Sequence, residues 1–277
     1  MNIANQALWV MERNSERTLS LEGIAAACGV SRSHLANAFV TATGWPVMKY
    51  LKARRLSEAA RRRAAGAPDI LTVALDVGYG SHEAFTRAFR DQFGQTPEQV
   101  REGGSVDGLA SVAPLRLRDG RMRPAVPQLK KLGRMKFVGL GAPCAPGETI
   151  HIAAQWQRFM STCYGAIPHK VQQMPIGLCE PPDDEGSFNY VCAAEVDSFG
   201  QRVPGLTQVE CAPMTYAVFA HDDHVSTIFD TYTAIWNEAL PALARTAANS
   251  PVLEFHNDEF DPGTGLGGLR LFIPLQD

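Results

Sequence analysis

Apolar residues in the first hundred positions recur at helical spacing, and they do so twice in the same order. Leu21-Glu22-Gly23-Ile24-Ala25-Ala26-Ala27-Cys28 runs into Gly29, and Leu71-Thr72-Val73-Ala74-Leu75-Asp76-Val77 runs into Gly78. A serine-started helix follows each glycine, with a phenylalanine in register: Ser31 to Phe39, then Ser81 to Phe89. Both units close on glycine and then proline, at Gly44-Trp45-Pro46 and Gly94-Gln95-Thr96-Pro97. Helix, glycine turn, serine N-cap and second helix are the sequence form of a helix-turn-helix, and its repetition makes a chance helical hairpin a poor explanation.

Helical phase divides each second helix into two faces. In the first, Leu35, Ala38, Phe39 and Ala42 form the inward stripe, which leaves Ser33, Ala36, Asn37 and Val40 outward and Arg32 at the N-terminal edge. In the second, Phe85, Ala88, Phe89 and Phe93 point inward and His82, Glu83, Thr86, Arg87 and Arg90 outward. Ser33, Ala36, Asn37, His82, Glu83, Thr86 and Arg87 are therefore the candidate base-reading positions. Asn pairs bidentately with adenine and Arg with guanine, each worth about 1–3 kcal/mol of discrimination. Arg32, Arg90 and the basic run Lys52, Arg54, Arg55, Arg61, Arg62 and Arg63 suit phosphate contacts, which position without specifying. Between the units Val47–Ala65 predicts one long helix, about 28 Å at 1.5 Å per residue. That is most of the roughly 34 Å between successive major grooves on one DNA face. A monomer then suffices for an asymmetric site.

After Gly103-Gly104-Ser105 the helical periodicity stops, and Gly, Pro and Arg accumulate up to Pro127, with Leu115-Arg116-Leu117 a short extended candidate. Beyond it the pattern changes to alternation broken by helical stretches, again in two rounds. Phe137–Gly141 predicts a strand, Thr149–Tyr164 a helix, and Pro175–Cys179 and Asn189–Val196 two strands. Met214–Ala220, Ser226–Leu243, Val252–Phe255 and Leu269–Pro274 repeat that order. Two strand-helix-strand-strand units predict one antiparallel or mixed sheet with both helices on one face, leaving the other face for a ligand cleft.

Charge separates the halves. Residues 1–124 carry 17 Lys/Arg against 12 Asp/Glu, a net of +5, and residues 125–277 carry 9 against 17, a net of −8. The basic half suits double-stranded DNA, whereas the acidic half suits a small-molecule or protein partner. The six cysteines form no C-x-x-C pair, no basic-then-apolar leader opens the chain, and no run reaches 18 apolar residues. These features predict reduced thiols, a cytoplasmic location and no membrane partner. His221-Asp222-Asp223-His224 reads as an acidic cap before a helix, with no further metal ligands nearby. Gly263-Thr264-Gly265-Leu266-Gly267-Gly268 lacks a following helix and reads as a turn, not a phosphate cradle. No cofactor and no metal are expected.

The stretch from Ala74 to Pro97, ALDVGYGSHEAFTRAFRDQFGQTP, closely resembles the signature of AraC-type transcriptional regulators, and the likeness extends over about residues 3–101. With its DNA-binding part first, the chain is similar to the Rob-like subgroup, from which it departs at Ser33 and Ala36, where larger side chains are usual. Tyr216 to His221, the helix with Tyr232, Ile235, Trp236, Leu240 and Pro241, and the ending Leu269 to Leu275 resemble a GyrI-like effector-binding domain over about residues 127–277. That likeness implies an amphipathic, often cationic, ligand held between the repeats by an acidic residue among aromatics. Glu254 is the positional match, and His256 stands where tyrosine is frequent. Glu195, in the apolar run Val191 to Val196, is a second candidate because an unpaired buried carboxylate is costly. Trp156, Tyr190, Phe219 and Trp236 are candidate wall residues, with ordinary core packing the competing explanation.

The expectation is a transcription regulator and not an enzyme. An all-α, homeodomain-like double helix-turn-helix occupies residues 1–104, a linker 105–126, and an α+β effector domain 127–277. Promoter DNA and a small-molecule effector are its partners, with RNA polymerase a further one. Two alternatives stay open for the second half. One is a protein-interaction module. The other is a small-molecule hydrolase using Glu195 or Glu254 with Tyr190 or Tyr216.

Overall fold

The computed structural model describes residues 2–14, 19–66, 69–115, 117, 126–145, 150–261 and 264–276. Seven helices come first: α1 (Ile3–Arg13), α2 (Leu21–Ala27), α3 (Arg32–Thr43), α4 (Val47–Ala64), α5 (Ile70–Asp76), α6 (His82–Phe93) and α7 (Pro97–Gly103). The sequence signals act where expected. Ser31 and Ser81 accept hydrogen bonds from the backbone N–H of His34 and Ala84 at 3.2 Å each, and Gly44 and Gly94 end their helices in the left-handed region at φ 73° and 70°. Residues with a Cβ avoid that conformation, which is why glycine stops both helices.

The long helix α4 is the axis of this half. The second unit builds its own core on it from Leu56, Ala59, Ala60, Val73, Ala74, Phe85, Phe89 and Phe93. The first unit does not close on itself in the same way. Its apolar residues, among them Ile3, Ala7, Leu8, Ile24, Leu35 and Phe39, belong to one core with Phe219, Ile235, Trp236, Leu240 and Leu271 from the second half of the chain. Of the linker, 116 and 118–125 lie outside the described residues, and Leu115 and Leu117 carry no regular structure.

The second half comprises β1 (Gln128–Leu132), β2 (Met135–Cys144), α8 (Ile150–Arg158), β3 (Ile176–Cys179), β4 (Phe188–Val196), β5 (Thr207–Cys211), β6 (Met214–His221), α9 (Ile228–Ala234), β7 (Val252–His256) and β8 (Leu269–Pro274). Both long helices continue beyond their α-helical part as a five-residue π-helical turn, α8 through Phe159–Cys163 and α9 through Ile235–Ala239. The eight strands form one sheet, ordered β1-β6-β8-β7-β3-β4-β2-β5, with antiparallel pairing throughout. Reading that order from either end meets equivalent strands of the two repeats, so the repeats are related by an approximate two-fold between β3 and β7.

Each repeat begins with an edge strand that the sequence pattern did not reveal. β1 pairs with β6 of the other repeat and β5 with β2, so the repeats exchange their first strands. The pattern was silent because an edge strand is paired on one side only and is mostly exposed, which permits Lys130-Lys131 in β1 and Gln208 and Glu210 in β5.

Candidate effector site and DNA-reading helices

Strand alternation sorts the sheet into two faces. Tyr190 and Cys192 of β4, Gly177 and Cys179 of β3 and Glu254 of β7 share the face that carries α8 and α9. Val191, Ile176, Leu178, Leu253, Tyr216 and Phe272 fill the other face with apolar packing. This corrects the expected position of the cleft. The candidate carboxylate lies between the helices, because the face opposite them is closed by its own side chains.

Glu254 is 7% exposed. Its Oε1 accepts a hydrogen bond from Tyr232 Oη at 2.6 Å and its Oε2 one from Tyr190 Oη at 2.7 Å. The Cys179 thiol lies 3.5 Å from Oε1. Trp156 Nε1 donates in turn to Tyr190 Oη at 3.1 Å, and its ring meets His256 edge-on at 5.2 Å. Burial pushes both tyrosine hydroxyls well above their ordinary range, and the Glu254 charge adds to the effect, so they remain neutral donors. Burial pulls His256 below the ordinary imidazole range against the pull of its bond to the Pro175 carbonyl. Close approach also constrains the backbone here. A Cβ on Gly177 would collide with Tyr190 Oη and stand 2.8 Å from Glu254 Oε2, so glycine leaves room for the pair.

Among the described residues no lysine or arginine pairs with Glu254, so its two phenols and one thiol are its hydrogen-bonding partners. The arrangement can trade phenol hydrogen bonds for a cation, with Trp156 and the tyrosine rings supplying π faces. Of the other candidates, Glu195 stands on the opposite face and accepts from Gln172 at 3.1 Å, so the two carboxylates do not form one site. Phe219 and Trp236 lie in the core shared with the first helix-turn-helix unit. Tyr232 and Gly177 were missed in the sequence, where a tyrosine on an apolar helix stripe looks like any core residue. His221 is buried and bonds Thr231 Oγ1 at 2.8 Å, while His224 caps the short turn Val225–Thr227. Among the described residues no group of three or more potential metal ligands occurs.

In α6 the outward set is open. Glu83, Arg87 and Arg90 are exposed, and His82 and Thr86 half-buried, along a shallow groove that runs to Gly94 and Thr96. In α3 the corresponding set is partly covered, with Asn37 and Val40 half-buried. Ser33 and Ala36 are buried, and Asn37 folds back to donate to the Ser33 carbonyl at 3.0 Å. The basic residues of α4 are also corrected. Arg54 is buried and holds Glu12 through Nε at 2.9 Å and Nη2 at 3.0 Å and the Val112 carbonyl through Nη1 at 2.9 Å. Arg55 is buried and, with Arg62, lines a cavity of about 260 Å³ between α1, α4 and α5. Arg63 is fully buried against Glu98. An amphipathic helix with a core on several sides turns these arginines to carboxylates at the core's edge and to a backbone carbonyl, which leaves Arg32, Lys52, Arg61 and Arg90 as the exposed members of the phosphate set.

Two helix-turn-helix units, one with its second helix presented to solvent, joined to a two-repeat α+β domain around a buried carboxylate, define a DNA-binding regulator with a small-molecule domain. Residues 24–103 match the Helix-turn-helix domain family and residues 126–276 the GyrI-like small molecule binding domain. The transcriptional regulator Rob of Salmonella typhimurium (strain LT2) is 37% identical over 271 residues, 95% of this chain and 92% of that protein. The regulatory protein SoxS of Escherichia coli (strain K12) is 33% identical over 93 residues, 34% of this chain and 86% of that protein. Among solved structures, SAV2435 bound to tetraphenylphosphonium covers 54% of this chain and 93% of its own at 21% identity and a TM-score of 0.43. An AraC-type regulator from Chromobacterium violaceum covers 38% and 95% at 30% identity and a TM-score of 0.36. The chain belongs to the Rob-like AraC-type transcription regulators with a C-terminal GyrI-like small-molecule-binding domain.

Proposed function

We propose that this regulator senses a lipophilic cation at Glu254 and reads promoter DNA through α6. The observation that carries the reading is Glu254 itself, a carboxylate buried at 7% exposure, held by two neutral phenols and, among the described residues, without a cationic side chain paired to it. Charge attraction is stronger in such a desolvated site than in water, and aromatic faces add about 0.5–2 kcal/mol of cation–π attraction. Trp156 and Tyr190 line the site beside Glu254. In α6, His82, Glu83, Thr86 and Arg87 are the base-reading set, with Arg90 on phosphate.

We divide the chain at residues 1–104 and 127–277, with 105–126 as linker. The protein acts in the cytoplasm, where promoter occupancy and contact with RNA polymerase convert ligand binding into altered transcription. Among the described residues no helix is long and apolar enough to cross a membrane. The test is calorimetric titration of the full chain with tetraphenylphosphonium, a rigid lipophilic cation. Binding is expected, weakened at least tenfold in Glu254→Gln. Equal affinity in the variant overturns the assignment of Glu254.

A further inference from the structure

The reading helix of the first unit is docked against the effector domain, and the residues that dock it are specific. Ser33 Oγ donates to Asn249 Oδ1 at 2.6 Å, and Ser31 Oγ to the Ala247 carbonyl at 2.8 Å. His34 Nε2 donates to the Trp236 carbonyl at 2.7 Å. Thr233 Oγ1 donates to the Thr41 carbonyl, and Asn237 Nδ2 to the Ala38 carbonyl, at 3.0 Å each. Asn237 also uses its Oδ1 to accept from the Ala4 N–H at 3.0 Å, so one amide bridges α1 and α3. Arg32, at the helix edge, pairs with Asp184. A recognition helix enters the major groove with its N-terminal residues leading. In α3 the effector domain holds that end through Ser31, Ser33 and His34, and its contacts continue along the helix to Thr41.

The positions that lie there are small. Ser33 and Ala36 are both buried and Ser33 bonds Asn249, so this face has side chains suited to close protein packing. The same helix also reaches the candidate ligand site. Tyr232, which donates to Glu254, is followed directly by Thr233 and one turn later by Trp236 and Asn237, the groups that grip α3. A displacement of the Tyr232 hydroxyl by a ligand therefore acts on the helix that forms the docking contact.

We propose that the effector domain masks the first reading helix, so that this state engages DNA through α6 alone, and that a cation at Glu254 releases α3 through the helix bearing Tyr232. The coupling half rests on the ligand reading above, whereas the masking half does not. A ligand shifts the masked and open populations only by its differential affinity for the two, so the cation must bind the open state more tightly.

The test is selection of duplexes from a randomised DNA pool by the full chain, by Thr233→Arg and by Asn249→Arg, with far-UV dichroism and melting as fold controls. Both substitutions lie in the effector domain, outside both reading helices. Thr233→Arg forces a charge into the docked contact, and Asn249→Arg, at an exposed position, keeps the test valid if the first variant fails to fold. The wild type is expected to enrich one short block. A folded variant is expected to enrich two blocks about one helical turn, roughly 10 base pairs, apart and to bind such duplexes at least tenfold more tightly. Two blocks from the wild type, or one block from a folded Asn249→Arg protein with unchanged affinity, overturn the masking. So does the absence of any enriched motif from all three proteins.

Repeating the wild-type selection with saturating tetraphenylphosphonium tests the coupling. The two-block motif is expected to appear, and to be lost in Glu254→Gln. If the cation binds and the motif stays single, the coupling is overturned. If the cation does not bind, the ligand reading fails by itself, and the substitution arms still decide the masking.

Discussion

The imidazole of His34 and the carbonyl of Trp236 meet at 2.7 Å with both residues buried, and their rings lie 5.5 Å apart. A carbonyl accepts only from a protonated nitrogen, so Nε2 carries the hydrogen and the neutral ring satisfies the contact. Burial pulls His34 below the ordinary imidazole range, and the bond to Trp236 opposes this in part. A histidine with a lowered folded value binds fewer protons in the folded state. Its stabilisation is complete above the unfolded value of about 6.5 and declines as pH falls below it. Thermal unfolding at about pH 7.5 and pH 5.5 is therefore expected to differ more in the wild type than in His34→Gln, which keeps a donor but cannot titrate. Equal pH sensitivity in the two proteins contradicts this.

Arg87 and Arg90 are both exposed on α6 but carry different expectations. Arg87→Ala is expected to weaken the preferred duplex by about 1–3 kcal/mol and to relax selectivity at one position. Arg90→Ala is expected to weaken all duplexes alike and to reduce the salt dependence by about one counterion. Anisotropy titrations against the selected duplex and a scrambled one, at several salt concentrations, separate the two.

Tyr232→Phe should move stability and ligand affinity in opposite directions. It removes one of the two phenol donors from a buried carboxylate, an expected loss of about 1–3 kcal/mol in unfolding free energy. The same loss leaves Glu254 in greater need of a partner, so tetraphenylphosphonium should bind more tightly than to the wild type. Urea unfolding and calorimetry on one preparation check both signs.

Glu12 and Arg54 tie α1 to α4, with Tyr50 donating to the same carboxylate at 3.0 Å. Burial tends to raise the Glu12 pKa, but the Arg54 bond and charge and the Tyr50 hydroxyl prevail and hold it below the usual range. A carboxylate lowered in this way contributes stability above its unfolded value of about 4.3, and that contribution is lost as pH falls through the lowered folded value. Glu12→Gln leaves the buried guanidinium short of its partner. Solvent screens the exposed Glu12 side of the pair, so the expected loss at neutral pH is about 1 kcal/mol, measured by urea unfolding.

Local signals in the sequence were read well because they act locally. Serine caps, glycine stops and the apolar stripes of α3 and α6 need no knowledge of what packs on them. The central strands were legible from alternation, whereas β1 and β5 were hidden by edge exposure. Long-range pairings were not legible. Nothing near Tyr232 in the chain points to Glu254, and the outward phase of Ser33 could not show that Asn249 of another domain meets it. For Arg54, Arg55 and Arg63 the composition suggested phosphate, whereas the fold turned these side chains inward.

If the negative charge at Glu254 selects a cation, a pair of ions of one shape and opposite charge must be told apart. Melting of the full chain would be followed with tetraphenylphosphonium and with tetraphenylborate, the anion of nearly the same size and ring arrangement. A ligand at 100 times its dissociation constant stabilises by about 2.7 kcal/mol. A clear upward shift is expected with the cation, none with the anion, and loss of the difference in Glu254→Gln. Equal shifts with both ions would contradict it, because burial of the rings alone would then explain the binding.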